Sequence, residues 1–225
     1  MWSYFDRGGP VMWPLLLLSV LAVTVMIWRW LALREATRNV AELMKELRGR
    51  LVASDVPGAI EVCEKIGGPV ASIVKAGLLR FGRSREEVER SLQDASAHEL
   101  AVLERGLPVL ATIAMIAPLL GFLGTVTGMI NSFEALAAVG LNNPAAVARG
   151  ISQALITTAA GLMIAIPVQM AYNYFVTRVN ALVRSMEAAA NLVIEALADA
   201  AEGQPAPPPA PAPAPARSPA LAGAR

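Results

Sequence analysis

The chain has 225 residues, of which 55% are hydrophobic, with a mean hydropathy of +0.50 and a net charge of +1. It is too apolar for an ordinary soluble domain, and its near-zero charge argues against a nucleic-acid partner held by bulk electrostatics. A single cysteine, Cys63, and a single histidine, His98, exclude an internal disulfide and a zinc site of the usual kind. The sequence carries no phosphate-binding loop, nucleophile elbow or metal motif, so we expect no cofactor and no enzyme activity.

Three stretches free of Asp, Glu, Lys and Arg are long enough to cross a bilayer, which takes about 20 helical residues. They run from 8 to 28, from 106 to 133 and from 150 to 177. A lone strand exposed to lipid would leave its backbone polar groups unpaired, so each stretch should be a helix. We therefore predict an all-α integral membrane protein with transmembrane helices at 11–31, 106–133 and 150–177.

The first apolar run has a signal peptide as its alternative interpretation. A transmembrane helix is favoured because the run exceeds the usual length of about 7–15 residues for a signal-peptide core. Arg29 and Arg34 follow it, and Trp13, Trp28 and Trp30 lie near its two ends, as interface anchors do.

The basic residues predict the orientation of the spans, because cytoplasmic loops carry an excess of Lys and Arg. Arginines follow spans one and three and precede span two: Arg29, Arg34, Arg38, Arg105, Arg178 and Arg184. The opposite flanks hold only Arg7 and Arg149. The N-terminus (1–10) and the second loop (134–149) should therefore face out, and the C-terminus should face the cytoplasm.

The segment 32–105 is then a cytoplasmic domain, and its pattern is helical. REATRNVAELMKELRGR places four apolar residues on one helical face: Val40, Leu43, Met44 and Leu47. Gly67-Gly68-Pro69 breaks the pattern, and PVASIVKAGLLRF then forms a short helix that stops at Gly82.

A capping box, Ser84-x-x-Glu87, opens the last helix of this domain. No strong breaker follows until Pro108, which leaves open a helix that continues into span two. After span three, residues 178–203 should form a cytoplasmic helix. The Pro/Ala-rich tail, 204–225, should be disordered and extended.

Spans two and three each present a face of small and hydroxylated residues at about 100° per residue. On span two the face holds Ala114, Ala117, Gly121, Thr125, Gly128 and Ser132, with Gly124 and Gly128 forming GxxxG. On span three it holds Ala154, Thr158, Gly161 and Ala165, with Gln153 and Thr157 beside it. Small faces let membrane helices approach closely, and hydroxyls can bond across the contact.

These polar groups have two interpretations: packing seams, or the lining of a wet path. A proton path needs a titratable carrier, and no span contains one at its core. A partner would then supply the acid, flanked by Thr125, Thr158, Gln153 and Thr157. Pro118 and Pro167 interrupt the two helices, either as kinks that fit the packing or as breaks that expose carbonyls.

ATIAMIAPLLGFLGTVTGMINSF and GISQALITTAAGLMIAIPVQMAYNYF resemble the MotA/TolQ/ExbB proton channel family, above all its ExbB-like members. The resemblance covers residues 84–174. Thr125 and Thr158 match the family's pore-lining threonines, and Pro118, Gly121 and Gly124 match its span-two pattern. ExbB-type sequences often carry Glu where this chain has Gln153, and Gln cannot exchange a proton at physiological pH.

The resemblance implies a motor subunit of a Gram-negative inner membrane, with its outer segments in the periplasm. It implies a homo-pentamer around a pair of single-span ExbD- or TolR-like partners that supply a membrane Asp. Proton flow would then drive a TonB- or TolA-like protein that reaches the outer membrane. Two alternatives stay open: the same motor with a Tol-type or gliding load, and a non-conducting scaffold.

Overall fold

The computed structural model describes residues 2–53, 55–140 and 144–202, and these form eight α-helices and no strand. In chain order they are α1 (Trp2–Gly8), α2 (Met12–Thr37), α3 (Val40–Val52), α4 (Val56–Ile66), α5 (Pro69–Leu78), α6 (Arg85–Glu104), α7 (Leu107–Val139) and α8 (Pro144–Glu202). The prediction of an all-α chain is confirmed. The predicted disordered tail lies outside the described residues.

Three of the helices, α2, α7 and α8, contain stretches that are long and apolar enough to cross a membrane. The most apolar 18 residues of each are only 17%, 33% and 28% buried within the chain. A soluble monomer would hide such surface, whereas lipid or neighbouring subunits can cover it in a membrane. The three predicted spans are therefore present as helices.

The predicted helix across residues 34–50 is split. It breaks after Thr37, and α3 begins at Val40, because Asn39 adopts the left-handed conformation with a φ of 66°. Asn visits this region more easily than most residues, so the turn needs no glycine. The predicted apolar face of α3 does turn inward, and Leu43 and Leu47 are buried.

The serine half of the predicted capping box forms at the start of α6: Ser84 Oγ accepts a hydrogen bond from the Glu87 N–H at 3.3 Å, while the Glu87 carboxylate lies 3.9 Å from the Arg83 guanidinium. The continuous helix from α6 into span two does not form. Gly106 takes a φ of 91°, a conformation that L-residues with a Cβ rarely adopt. A Cβ there would also lie 3.0 Å from the Trp28 ring.

The helices α7 and α8 extend beyond the predicted spans and into the predicted outer loop. Most of 134–149 is helical, because α7 runs to Val139 and α8 begins at Pro144. The segments 150–177 and 178–203 were predicted separately but form one helix of 59 residues, α8, up to Glu202. Pro167 lies inside α8 without ending it, as membrane helices tolerate.

The long helix α8 joins the two halves of the molecule. Its first half packs antiparallel against α7, and its second half packs against α3, α5 and α6. The shared core contains fully buried side chains from four helices: Leu47, Ile73, Val74, Val88 and Val193. The α8 helix is therefore shared between the α7–α8 hairpin and the core formed with α3, α5 and α6.

Candidate functional site: the seam between α7 and α8

Glycines set the distance between α7 and α8. A Cβ on Gly128 would lie 2.6 Å from the Gly150 carbonyl oxygen, and one on Gly161 would lie 2.6 Å from that of Ala117. At Gly124 a Cβ would collide with the Thr157 side chain. The predicted small faces therefore do meet, and backbone touches backbone along the hairpin.

Thr125 and Thr158 form the centre of this seam, and we call them the threonine pair. Their hydroxyl groups are hydrogen-bonded to each other across the two helices. The Thr158 Oγ1 also lies 3.1 Å from the carbonyl oxygens of both Gly121 and Ala154, and the Thr125 Oγ1 lies 3.4 Å from that of Gly121.

Each hydroxyl of the threonine pair has one hydrogen and more than one acceptor within reach. Thr125 can donate to Thr158 while Thr158 donates to a carbonyl, or the direction can reverse. Both side chains are only partly buried. The pair can therefore offer either a donor or an acceptor to a group that approaches from a neighbouring chain.

Thr157 occupies a different environment. Its side chain is 0% exposed and packs against Gly124. Its hydroxyl donates within its own helix, at 2.9 Å to the Ala154 carbonyl oxygen or at 3.1 Å to that of Gln153. The structure thus brings Thr157 into the helix contact, beside the threonine pair and away from the surface.

Gln153 lies five residues before Thr158, about 7.5 Å along the helix axis. Its side-chain oxygen accepts from the Asn131 amide at 3.5 Å. Its amide nitrogen faces Gly9, where a Cβ would lie only 2.5 Å away. Gln153 also lines an open polar cleft of about 630 Å³ together with Arg7 and Arg149.

Pro118 and Pro167 lie inside α7 and α8, and neither ends its helix. Each removes the N–H that would bond to the carbonyl four residues earlier, at Ala114 and Met163. The antiparallel register that pairs Ala117 with Gly161 puts these two carbonyls at about the same level of the hairpin.

Ser132 lies on the predicted small face of span two, and the sequence pattern predicts no role for it. It is 2% exposed, and its Oγ lies 3.0 Å from the carbonyl oxygens of Gly128 and of Val147. It therefore links α7 to α8 at the end of the seam nearest the α7–α8 turn.

The sequence predicts Arg29 to be one of the basic residues that flank span one. In the structure its side chain is only 2% exposed. Its guanidinium donates to the Leu103 carbonyl at the end of α6, and its Nε has no hydrogen-bond partner among the described residues. The sequence holds no signal for this burial, because the packing of α2 against its neighbours decides which of its residues are enclosed.

The described residues contain no group of three or more His, Cys, Asp or Glu that could hold a metal ion. Hydroxyls, amides and backbone carbonyls make up the seam, and they can orient a proton or a small cation but cannot store a proton near neutral pH.

The family model for the MotA/TolQ/ExbB proton channel family matches residues 66–188, which include all of α7 and most of α8. The chain belongs to this family. Its threonine pair and glycine-lined seam therefore lie in the part of the chain that members of the MotA/TolQ/ExbB family share.

Curated relatives in the family carry two names. The Tol-Pal system protein TolQ of Pseudomonas aeruginosa is 33% identical over 81% of this chain and 86% of its own length. The biopolymer transport protein ExbB of Neisseria meningitidis is 27% identical over 83% and 92%. TolQ of Haemophilus influenzae is 44% identical over 41% of each chain.

Proposed function

We propose that the chain is the channel-forming stator subunit of a bacterial inner-membrane motor driven by the proton motive force. The observation that carries this proposal is the threonine pair, placed between the charge-free stretches of two helices in a chain that belongs to a proton channel family. A channel wall of this kind can guide a proton carrier without competing with it for the proton.

In this mechanism an Asp from the single-span partner docks beside Thr125 and Thr158. The hydroxyls donate to the carboxylate and accept from the protonated acid, because a hydroxyl can do both. Desolvation raises the pKa of such a carboxyl, whereas hydrogen bonds to its charged form lower it. The threonine pair would thereby hold that acid in a range where it can load and release protons.

The remaining site residues take supporting roles in the proposal. Gln153 and the polar cleft with Arg7 and Arg149 form the outer approach to the threonine pair. Thr157, Gly121, Gly124, Gly128 and Gly161 hold the hairpin closed, and Pro118 and Pro167 expose carbonyls or set its curvature.

The assembly that we propose is a homo-pentamer around a pair of ExbD- or TolR-like partners. The N-terminus and the α7–α8 turn face the periplasm, and the C-terminus faces the cytoplasm. The exposed apolar side chains of α7, such as Phe122, Leu123 and Phe133, would contact lipid or neighbouring copies.

The load is proposed to be a TonB-like protein that energises outer-membrane transport. A Tol-type load is the second candidate, and it is favoured by the 33% identity to TolQ of Pseudomonas aeruginosa over 81% of this chain, against 27% to ExbB of Neisseria meningitidis over 83%. A deletion strain separates the two candidates. Loss of iron-chelate uptake supports the TonB-like load, and normal uptake with failed division or surface movement supports a Tol-type or gliding load.

Proton flux tests the channel itself. The full chain is reconstituted with its partner in vesicles, and flux is compared for Thr125→Ala, Thr158→Ala and the partner's Asp→Asn. Thr127→Ala is the matched control, because its hydroxyl bonds only to carbonyls of its own helix. Equal flux in all variants would refute the mechanism.

The non-conducting scaffold makes the opposite prediction. It requires that Thr125→Ala and Thr158→Ala act on assembly alone. Size-exclusion chromatography of each variant with its partner therefore accompanies the flux assay. A complex that assembles normally but no longer conducts rules out the scaffold.

A further inference from the structure

A cleft of about 730 Å³ opens between the end of α2 and the middle of α8, away from the seam. The last turns of α2 contribute Trp30, Arg34 and Arg38 to its lining, and α8 contributes Tyr174 and Arg178. We call it the basic cleft. None of these five residues takes part in the proposed proton path.

Two of the three arginines of the basic cleft stack over aromatic rings. The Arg34 Cζ lies 5.3 Å from the centroid of the Trp30 ring, and the Arg178 Cζ lies 5.3 Å from that of Tyr174. Arg178 also donates its Nε–H to the Tyr174 hydroxyl at 3.2 Å. Stacking over a ring leaves guanidinium N–H groups at the edge free to bind an acceptor.

The basic cleft carries uncompensated positive charge. Its lining holds three arginines and one acid, Glu35. No ion pair within the described part of the chain involves Arg34, Arg38 or Arg178. A guanidinium fork matches the geometry of a phosphate, so the missing partner is best supplied by a phosphate group.

The basic cleft also lies at a defined depth. The charge-free stretches of spans one and three end at Trp28 and Thr177, so the cleft begins at the boundary where lipid headgroups lie. On the bilayer side of it, α2 and α8 expose large apolar side chains, including Ile27, Ile166 and Met170. A soluble anion would leave that apolar surface uncovered, whereas the acyl chains of a lipid would cover it.

We propose that the basic cleft binds the phosphate headgroup of an anionic phospholipid from the adjacent leaflet. Arg34 and Arg178 hold the phosphate from opposite walls, and Arg38 adds charge at the rim. The acyl chains lie along the apolar surface of α2 and α8. This site ties span one to span three and is independent of the motor's load.

Binding of phosphatidylglycerol is measured on the full-length chain in detergent by native mass spectrometry and by the shift in melting temperature. Phosphatidylcholine and inorganic phosphate are the comparison probes. We expect phosphatidylglycerol to bind and stabilise, with Arg34→Gln/Arg178→Gln weakening it by about fivefold for each arginine removed. Arg48→Gln/Arg80→Gln is the matched control, because both residues are exposed and lie outside the cleft.

Three results would overturn the proposal. Equal binding of phosphatidylglycerol and phosphatidylcholine would show that the basic cleft does not recognise an anionic headgroup. If inorganic phosphate stabilises the chain as much as phosphatidylglycerol does, the ligand is a soluble anion. A change in oligomer mass in the cleft variant, with lipid binding unchanged, means that a second copy of the chain covers the cleft.

A second measurement covers the case in which the double variant fails to fold. Brominated phosphatidylglycerol should quench the tryptophan fluorescence of the wild-type chain more than brominated phosphatidylcholine does. The excess should shrink in Trp30→Phe, which keeps an aromatic ring in the cleft and leaves the other three tryptophans in place. An excess that is unchanged in Trp30→Phe also refutes the site.

Discussion

At Gly128 the backbone of α7 lies against the backbone of α8, so even a methyl group has no room. A Cβ would lie 2.6 Å from the Gly150 carbonyl oxygen and 2.8 Å from the Ala154 nitrogen. Neither atom can move without shifting a helix. Gly128 therefore sets how closely α7 and α8 can approach each other. It thereby also sets how closely the two hydroxyls of the threonine pair can lie.

Gly128→Ala should lower the stability of the chain by about 1–3 kcal/mol, the usual cost of overpacking. Gly49→Ala in α3 is the matched control, because a Cβ there meets nothing within 4 Å. That variant should be neutral or stabilised by up to about 1 kcal/mol, since Ala favours a helix over Gly. Melting temperatures in detergent give the comparison, and equal values for the two variants would contradict the close contact.

Asp55, at the start of α4, gives the stability of the chain a pH dependence. Its Oδ1 accepts from the Gly58 N–H at 3.0 Å, and its Oδ2 accepts from Arg50 at 2.7 Å. The backbone hydrogen bond, followed by the hydrogen bond from Arg50, lowers the pKa of the Asp55 carboxyl below its ordinary value. The charged form is therefore favoured in the folded state.

A carboxyl with a lowered folded-state pKa stabilises the fold at pH values above its unfolded pKa, which is about 3.9. It loses that contribution as the pH falls through the folded-state pKa. Asp55→Asn keeps the capping oxygen but removes the charge. Wild type should be more stable than Asp55→Asn at pH 6, and the difference should shrink below about pH 4. Melting curves from pH 6 to pH 3 test this, and a constant difference would contradict it.

The joint between α6 and α7 shows how one buried side chain organises two helices. The α6 helix ends at Glu104, and the guanidinium of Arg29 from α2 donates to the Leu103 carbonyl there. Carbonyls at a helix C-terminus lack partners within the helix, and a cation near them is favoured. Arg29 therefore fixes the point where α6 meets α7.

Arg29→Met should loosen this joint, because it leaves the Leu103 carbonyl without its side-chain donor. We expect a loss of about 1–3 kcal/mol in stability and faster hydrogen exchange of the backbone amides around residues 102–108. Arg29→Lys keeps a donor and should lose less. Arg48→Met, at an exposed position of α3, should change neither quantity. Unchanged exchange in Arg29→Met would show that the joint holds without the arginine.

The helices and their small faces could be predicted from the sequence because periodicity and charge-free length depend on local pattern. Ser84 could be predicted as a cap for the same reason. The breaks at Asn39 and Gly106 could not, because a residue that permits a positive φ does not require one, and packing decides. The burial of Arg29 and the contact of Thr157 with Gly124 depend on which helices become neighbours.

On the scale of the whole molecule, one thiol reports on folding. Cys63 is 3% exposed, and burial raises its pKa to about 11, with the nearby Lys75 opposing the shift and Glu64 adding to it. Only about one thiol in a thousand is then ionised at pH 8. Because the thiolate is the nucleophile, the folded chain should be nearly inert to maleimides.

Cys63 should therefore label only after unfolding, or as the pH rises towards about 11. The sign follows from the raised pKa: the buried thiol stabilises the fold below the unfolded value of 9.0 and loses that contribution at higher pH. Val52→Cys, at a side chain that is 83% exposed, is the control and should gain one fast label at pH 8. Fast labelling of the folded wild-type chain would show that the α4 core opens.

An inert native thiol makes the orientation of the whole molecule testable with single added cysteines. Ala145 and Gln93 are both exposed, at the start of α8 and on α6, and we place them on opposite sides of the membrane. In cells with a permeabilised outer membrane, a membrane-impermeant maleimide should label Ala145→Cys at once and Gln93→Cys only after the inner membrane is opened. The opposite pattern would invert the topology and move the polar cleft around Gln153 to the cytoplasmic side, where it could not serve as the entry for periplasmic protons.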